Sequence, residues 1–385
     1  MDKNSVFSKF IRYLTISIIL WNLPSFILIY GSSTISSLIS YFSFGLILLY
    51  TIVNGKSGND KPLLIFGILF FTLSSLAEQK YMPEFLEFII IIIKYFIIIW
   101  GGYEIMKHST KKEIWIIMLI GSLSIIGNMF LFNDPKADYG RYSGFYLDPN
   151  NAGLICLIGF SITYAMPKKY RLVGKLLFTI LGLLTFSRTF ILSWLLINLL
   201  SIRLSFKNAR MLLFGFGLLS MLLIFNEFLP VKNQRLEQIG AVFSGDSKKA
   251  AGINKDSRWH TWSRYFEPLF ENPLSGNGYG SFGSKGIKAP VGVHNTYLLI
   301  WGESGILPII IFILYIIYLL YEGNKVFKSS PHLLMMTLAL SIFILTNHNF
   351  LTNYYSILLY VWIHLKIKEK SNLHNINYDM PIVKL

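Results

Sequence analysis

Long runs of apolar residues, separated by short polar stretches, dominate the sequence. An α-helix needs about 20 apolar residues to cross a bilayer, and somewhat fewer when it lies inside a bundle. With 53% hydrophobic and only 14% charged residues, the chain cannot hide its apolar surface in one water-soluble core. The candidate spans are residues 11–30, 35–53, 62–77, 85–103, 114–132, 151–166, 172–186, 189–204, 211–229, 296–321, 332–346 and 351–367. We therefore predict an all-α polytopic membrane protein with about twelve transmembrane helices.

The basic residues indicate how these helices are oriented. Short loops that hold Lys and Arg are retained on the cytoplasmic side of a membrane. Most of the 35 Lys and Arg residues fall in alternate connections, beginning with the segment before the first run. This alternation predicts a multi-pass protein with both termini in the cytoplasm. The net charge of +15 is dispersed among these connections, so we expect no nucleic acid partner.

One long polar interruption divides the chain. Residues 230–293 lie between the ninth and tenth runs, and the alternation of the helices places them outside the cytoplasm. We predict nine helices in residues 1–229, a large periplasmic or extracellular loop in 230–293, three helices in 294–367 and a cytoplasmic tail in 368–385. The first run lacks a small-residue cleavage site, so it is predicted to be a retained helix.

Two residues inside the apolar runs are unusual. Cys156 is the only cysteine, which excludes a disulfide or a thiolate metal site within one chain. Lys94 interrupts an isoleucine-rich run, and a charge at such depth costs about 2.5 to 3.5 kcal/mol on insertion scales. Lys94 is either a functional residue or a lysine whose ammonium reaches a polar surface or another helix.

Three predicted outward segments carry groups that could bind phosphates. In the first, Arg141 lies in a short aromatic stretch, and Asn150 or Asn151 is predicted to cap the next helix. The N-terminus of that helix would offer free N–H groups to an anion. In the second, Arg188 lies in a tight corner between two apolar runs, where its guanidinium can bind a phosphate with two hydrogen bonds.

The third segment is the long loop. Trp259 and Trp262 lie there between Arg258 and Arg264. Arginines suit phosphates or acidic sugars, and aromatic faces suit sugar rings. Tryptophans are equally common as anchors at a bilayer surface, and that interpretation stays open.

The tenth apolar run opens with His294 and Asn295. His294 can exchange protons near neutral pH at the membrane surface. Glu303 lies about two and a half turns deeper, where it could pair with an arginine, act as a base or pack in the bundle. His348, at another outward corner, is either a second site residue or a plain loop residue.

Together these segments resemble the O-antigen polymerase and O-antigen ligase family of membrane glycan transferases. The resemblance covers most of the chain but is concentrated between about residues 181 and 305. It rests on Ser187-Arg188, Arg258-Trp259, the turn from Glu271 to Gly278, and His294-Asn295 followed by Glu303 and Gly305. The stretch from Arg141 to Asn150 also looks like an outward loop of this family.

The resemblance implies transfer of a glycan from an undecaprenyl pyrophosphate carrier to a sugar hydroxyl at the outer face of the bacterial inner membrane. Arg188 and Arg258 match the arginines that stabilise the leaving diphosphate, and His294 matches the histidine that accepts the proton. These three are the predicted catalytic residues. The predicted substrate-binding residues are Arg141, Arg264, Asn150, Asn295, Glu303 and His348. The family requires no metal, and no cofactor is expected.

Sequence alone leaves several functions open. We favour a polymerase of lipid-linked repeat units over a ligase, although both would use the same donor and differ only in the acceptor. The expected partners are the lipid-linked glycan, membrane lipids, a chain-length regulator and a flippase. A polysaccharide transporter or flippase would also explain twelve spans, but the chain lacks two matching halves with broken helices. A non-enzymatic scaffold would tolerate replacement of all three predicted catalytic residues.

Overall fold

In the computed structural model the described residues of each predicted apolar run are mostly helical. The structure describes residues 6–77, 79–131, 141–228 and 258–379, and these contain no β-strand, so the predicted all-α class is confirmed. Short 3-10 turns span Gly144–Tyr146 and Phe206–Ala209. The α-helices are α1 (Val6–Leu20), α2 (Leu23–Tyr30), α3 (Ser33–Asn54), α4 (Lys61–Leu76), α5 (Phe85–Lys107), α6 (Lys111–Phe130), α7 (Pro149–Thr163), α8 (Lys168–Leu184), α9 (Arg188–Ile202), α10 (Arg210–Phe228), α11 (Arg258–Ser263), α12 (Phe266–Glu271), α13 (Thr296–Ser304), α14 (Ile306–Lys325), α15 (Pro331–Ile344) and α16 (Tyr354–Asp379).

The long apolar helices fit a lipid environment, because a helix satisfies its backbone N–H and C=O groups internally. Among the described residues five helical stretches are long and apolar enough to cross a membrane, and a sixth is added if α1 and α2 count as one bent span. The five are α3, α5, α6, α14 and the stretch Phe206–Phe225, which includes most of α10. The protein is thus a multi-pass membrane protein, whereas the count of twelve spans and the side of the long loop stay predictions.

Helix α7 lies at the centre of the bundle. Residues 152–163 are all buried, and the helix packs against α6, α8, α9 and α15. Glycine allows one of these close approaches, because a Cβ at Gly159 would lie 2.2 Å from the ring of Phe178 on α8. In contrast, only 11% of the apolar segment within Phe206–Phe225, which includes most of α10, is buried. The core of the bundle is therefore built around α7, with α10 at its periphery.

Two runs that the sequence predicts as continuous helices are broken in the structure. α1 and α2 meet at an angle of 56°, where Asn22 has a left-handed backbone (φ 53°) and Pro24 in the first turn of α2 lacks an N–H group. α13 ends at Gly305 (φ 80°), where a Cβ would lie 1.9 Å from the carbonyl oxygen of Leu274. Only glycine fits there. The prediction of unbroken helices over residues 11–30 and 296–321 is therefore wrong.

The second half of the long polar interruption is folded against one end of the bundle. Residues 258–293 contain α11, α12 and a glycine-rich turn, whereas residues 230–257 lie outside the described part of the chain. The N–H of Tyr279 donates to the carbonyl of Ser74 at 3.0 Å, and the Tyr279 ring packs against Phe88 with centroids 4.8 Å apart. These contacts fix the turn on α4 and α5.

The opposite end of the bundle has its own polar contacts. Arg12 pairs with Glu113 at 2.9 Å, and the buried Asp60 accepts a hydrogen bond from His364 at 2.7 Å. The latter contact lies on α16, which continues to Asp379. Most of the segment predicted as a cytoplasmic tail is therefore helical.

The close approach of α8 and α9 can be tested with two glycine substitutions. A Cβ at Gly182 would lie 2.0 Å from the buried ring of Phe190, so Gly182→Ala should destabilise the fold by about 1–3 kcal/mol through overpacking. Gly217 has no atom within 4 Å of a built Cβ, and Gly217→Ala should be neutral or slightly stabilising. The measurement is the thermal unfolding midpoint of the full chain in detergent. Equal midpoints for the two variants would contradict this packing.

Candidate active site

Four connections meet at one end of the bundle, referred to below as the four-connection end. They are residues 141–148, 185–187, 292–295 and 345–353, and they lead into the N-termini of α7, α9, α13 and α16. The first turn of a helix has free N–H groups and a partial positive charge. Four such N-termini therefore make this end electropositive before any charged side chain is counted.

Polar side chains cap three of these helices. Asp148 caps α7, Ser187 caps α9 and Asn295 caps α13, each by accepting hydrogen bonds from N–H groups in the first turn. The prediction that Asn150 or Asn151 caps α7 is wrong, because both already lie within that first turn. Their side chains instead make contacts to other connections.

Asn150 links α7 to the corner that begins α9. Its Oδ1 accepts a hydrogen bond from the Ser187 hydroxyl at 2.8 Å. Arg141 reaches the same corner, because its Nε donates to the carbonyl of Thr185 at 3.4 Å. Arg188 directly follows Ser187 as the first residue of α9, and its side chain is exposed. The structure thus brings Arg141, Asn150 and Arg188 to one corner.

The connection between α15 and α16 joins this corner to α13. The Asn347 side chain donates from Nδ2 to Oδ1 of Asn151 at 3.2 Å. The backbone carbonyl of Asn347 accepts a hydrogen bond from the Thr296 hydroxyl at 2.7 Å. The Thr189 hydroxyl donates to that of Thr346 at 3.2 Å. The first turns of α7, α9 and α13 therefore all touch one connection.

Two histidines pack against each other at the same place. The rings of His294 and His348 have centroids 4.7 Å apart and planes at 83°. His294 has a left-handed backbone (φ 48°) immediately before the cap residue Asn295. Gly292 lies against the other ring, since a Cβ there would be 2.7 Å from Nε2 of His348. The start of α13 and the α15–α16 connection together fix the pair.

Arg258, the first residue of α11, belongs to the same group. Burial lowers the pKa of His348 from 6.5 to about 4, and the positive charges of His294 and Arg258 act in the same direction. Arg258 is therefore near enough to the histidine pair for its charge to lower the pKa of His348. His348 is neutral at physiological pH as a result.

Two predicted site residues have different surroundings. Arg264 is exposed directly after α11, and the contacts described between the four connections do not include it. Glu303 is buried, and its Oε1 accepts a hydrogen bond from the N–H of Phe282 at 3.2 Å. The Glu303 carbonyl accepts another from the N–H of Gly278 at 3.1 Å. Of the roles left open for Glu303, the described contacts therefore favour packing: it anchors the glycine-rich turn on α13.

Sequence reasoning missed the hydroxyl groups that join the connections. Thr189, Thr296 and Thr346 carry no charge and follow no spacing that distinguishes them from ordinary helix-end residues. Their only signal is a polar side chain at the edge of an apolar run, which is equally typical of a cap. Among the described residues, no group of three or more His, Cys, Asp or Glu side chains is arranged to hold a metal ion.

Fold and site define an all-helical, multi-pass membrane protein with arginine and histidine side chains gathered at one end of its bundle. Residues 173–313 match the protein family described as O-antigen ligase. This match includes Arg188, Arg258 and His294, and it confirms the predicted relationship to the O-antigen polymerase and ligase family. No curated protein matches the chain.

The environment of His348 makes the stability of the fold depend on pH. Its pKa is about 4 in the folded protein, below the ordinary histidine value of 6.5, so the unfolded chain binds the proton first as the pH falls. The stabilisation from neutral His348 is complete above about pH 6.5 and is lost as the pH falls towards 4. We expect the unfolding midpoint to fall less over this range in His348→Gln than in the wild type.

The control for this experiment is His260→Gln, because His260 is exposed on α11. It should keep the pH dependence of the wild type. The same pH dependence in His348→Gln as in the wild type would contradict a lowered pKa for His348.

Proposed function

We propose that the protein is a membrane glycosyltransferase that polymerises oligosaccharide repeat units carried on undecaprenyl pyrophosphate. The product would be a surface polysaccharide such as O-antigen, capsule or exopolysaccharide. The observation that carries this proposal is the meeting of three arginine-bearing segments with a histidine pair, with Arg188, Arg258 and His294 inside the family match. The site would lie at the outer face of the bacterial inner membrane, in agreement with the alternation of basic residues along the chain.

The arginines are proposed to stabilise the leaving group. When the bond between the anomeric carbon and the diphosphate breaks, its electron pair stays on a diphosphate oxygen, and negative charge develops there. Arg188 and Arg258 would each donate two hydrogen bonds to this charge, and Arg141 would add a third cation. The N-termini of α7, α9 and α13 add partial positive charge at the same end of the bundle. This role for the arginines requires no metal ion or cofactor.

His294 is proposed to accept the proton of the attacking sugar hydroxyl. His348 supports this role, because a neutral neighbour does not oppose the positive charge that His294 gains with the proton. The hydroxyl would attack the anomeric carbon on the side opposite the departing diphosphate. The reaction would therefore invert the configuration at that carbon.

The remaining predicted residues are proposed to hold the site or the glycan. Asn295 caps α13 and so fixes the backbone next to His294, and Asn150 holds Ser187 next to Arg188. Glu303 secures the glycine-rich turn. Arg264, exposed beyond α11, would contact the sugars or phosphates of the substrate.

A ligase is the second candidate, because the matching family is described as O-antigen ligase. It would use the same donor and transfer the finished glycan to a lipid acceptor. We favour the polymerase because the isoleucine-rich, low-complexity character of the apolar runs is more typical of polymerases. A flippase that supplies the repeat unit and a regulator of chain length are the proposed protein partners.

The proposal predicts the effects of replacing the catalytic residues. Arg188→Lys keeps a charge but loses the bidentate donors, and should reduce the rate about 10²- to 10³-fold. His294→Gln removes the proton acceptor and should reduce it about 10²- to 10⁴-fold. The measurement is glycan formation by purified protein in vesicles that contain a defined lipid-linked oligosaccharide.

The matched control is Arg203→Lys. Arg203 lies near the opposite end of the bundle, where it bonds to Asn324 and packs over the ring of Phe327. Its conservative replacement should leave the rate within about twofold. Wild-type rates in both the Arg188 and the His294 variants would overturn the proposal, as would equal losses in all three.

The acceptor decides between the two candidate functions. With only the lipid-linked repeat unit in the vesicles, a polymerase should produce a ladder of longer lipid-linked chains. A ligase should form no ladder, and should transfer glycan only after a lipid acceptor is added. Cells with an inactive polymerase should accumulate the lipid-linked single unit, whereas cells with an inactive ligase should retain lipid-linked polymer.

A further inference from the structure

A cavity of about 230 Å³, lined by both polar and apolar side chains, lies among α1, α2, α3, α5 and the beginning of α16. It lies beside the 56° bend between α1 and α2. Non-helical backbone at membrane depth is tolerated where it lines a polar space, and Asn22 at this bend is one of the lining residues. The hydroxyl groups of its lining belong mainly to Ser25, Ser36, Ser37, Ser40, Tyr41 and Ser43.

Lys94 brings a positive charge into this cavity. Its ammonium donates a hydrogen bond to the Ser40 hydroxyl at 2.9 Å and lies 4.9 Å from the ring centroid of Tyr41. These contacts orient the ammonium without neutralising it. No carboxylate occurs among the described residues that line the cavity. A charge at this depth is costly, and an anion that entered the cavity would offset that cost.

The serines of α3 form a polar path from the first turn of the helix to Lys94. Ser36 and Ser43 both line the cavity and are seven residues apart, which is about 10 Å along a helix. Ser40, the hydrogen-bond partner of Lys94, lies between them. The hydroxyls of Ser36 and Ser43 already donate to the carbonyls of Pro24 and Ser40, at 2.7 Å each. The α3 hydroxyls whose protons can turn to an anion beside Lys94 are therefore those of Ser37 and Ser40.

The cavity also opens sideways towards the lipid. Two of its lining side chains, Leu28 and Tyr41, are 52% and 53% exposed, and in a membrane-spanning bundle such side chains face acyl chains. A molecule with its anionic group at Lys94 and its apolar part along these residues would satisfy both surroundings. That combination describes a lipid with a phosphate group.

We propose that this cavity binds the phosphate group of a membrane lipid, with Lys94 as its cation and the hydroxyls of Ser37 and Ser40 as hydrogen-bond donors. The non-ester oxygens of a lipid phosphate can accept hydrogen bonds from these hydroxyls and from the ammonium at the same time. The lipid would stand apart from the active site. Tyr355 lines the cavity and packs on Tyr146, in the connection that carries Arg141, with ring centroids 6.2 Å apart. The proposal does not rest on the transferase activity.

The test uses the full chain in detergent, with phosphatidylglycerol as the lipid probe and native mass spectrometry to count bound lipids. Lys94→Met should weaken binding of the first lipid about tenfold, whereas Lys94→Arg should retain it. Lys80→Met is the matched control, because Lys80 also lies over a tyrosine ring but does not line the cavity. In a second arm, inorganic phosphate at the same concentrations should not displace the lipid.

Two further measurements distinguish a loss of lipid binding from a loss of folding. Without lipid, Lys94→Met should unfold at the same temperature as the wild type or higher, because it removes an unneutralised charge, whereas a purely structural lysine would lower that midpoint. Ser37→Leu places an apolar side chain in the lining at an exposed position and should also weaken lipid binding. Thr34→Leu, exposed on α3 but outside the lining, should not. Unchanged lipid binding in Lys94→Met and Ser37→Leu, or displacement of the lipid by inorganic phosphate, would overturn the proposal.

Discussion

The arrangement of the four-connection end depends on the unsatisfied N–H groups at the starts of its helices. An apolar helix satisfies its interior backbone groups, but its first turn still requires acceptors. Asp148, Ser187 and Asn295 provide them for α7, α9 and α13. Each cap adjoins or lies close to a candidate site residue, so the groups that terminate the helices also set the positions of Arg188, His294 and Asn150. Structural and chemical requirements are met there by the same short segments.

Much of the fold could be predicted from hydropathy, because lipid permits few alternatives to a helix for a long apolar run. The described residues of each predicted run are mostly helical. The breaks at Asn22 and Gly305 could not be placed in the same way. Pro24 was visible in the sequence but does not by itself end a helix in a bundle, and the need for Gly305 arises from the carbonyl of Leu274, which is distant in sequence. Such breaks follow from tertiary contacts, which a local pattern does not contain.

In the site, too, the sequence pattern predicted some features and tertiary contacts determined others. Arginines and histidines in short polar segments are conspicuous in a chain with few charges, and this property identified Arg141, Arg188, Arg258, His294 and His348. The hydrogen bonds that gather their segments were not visible, because Thr189–Thr346 and Asn151–Asn347 connect residues more than 150 positions apart. For Glu303 the sequence left several roles open, and a backbone contact now favours one of them. An acidic residue in an apolar run suggests chemistry, yet its side chain accepts a backbone hydrogen bond from Phe282.

The burial of α7 has a consequence for biosynthesis. Residues 152–163 have no side that faces outward in the finished bundle, and one of the helices that covers them, α15, begins only at Pro331. A ribosome that adds residues from the N-terminus completes α7 long before this covering helix exists. The nascent chain must therefore hold α7, with the hydroxyls of Ser161 and Thr163 bonded within the helix, in an unfinished assembly until α15 has been inserted.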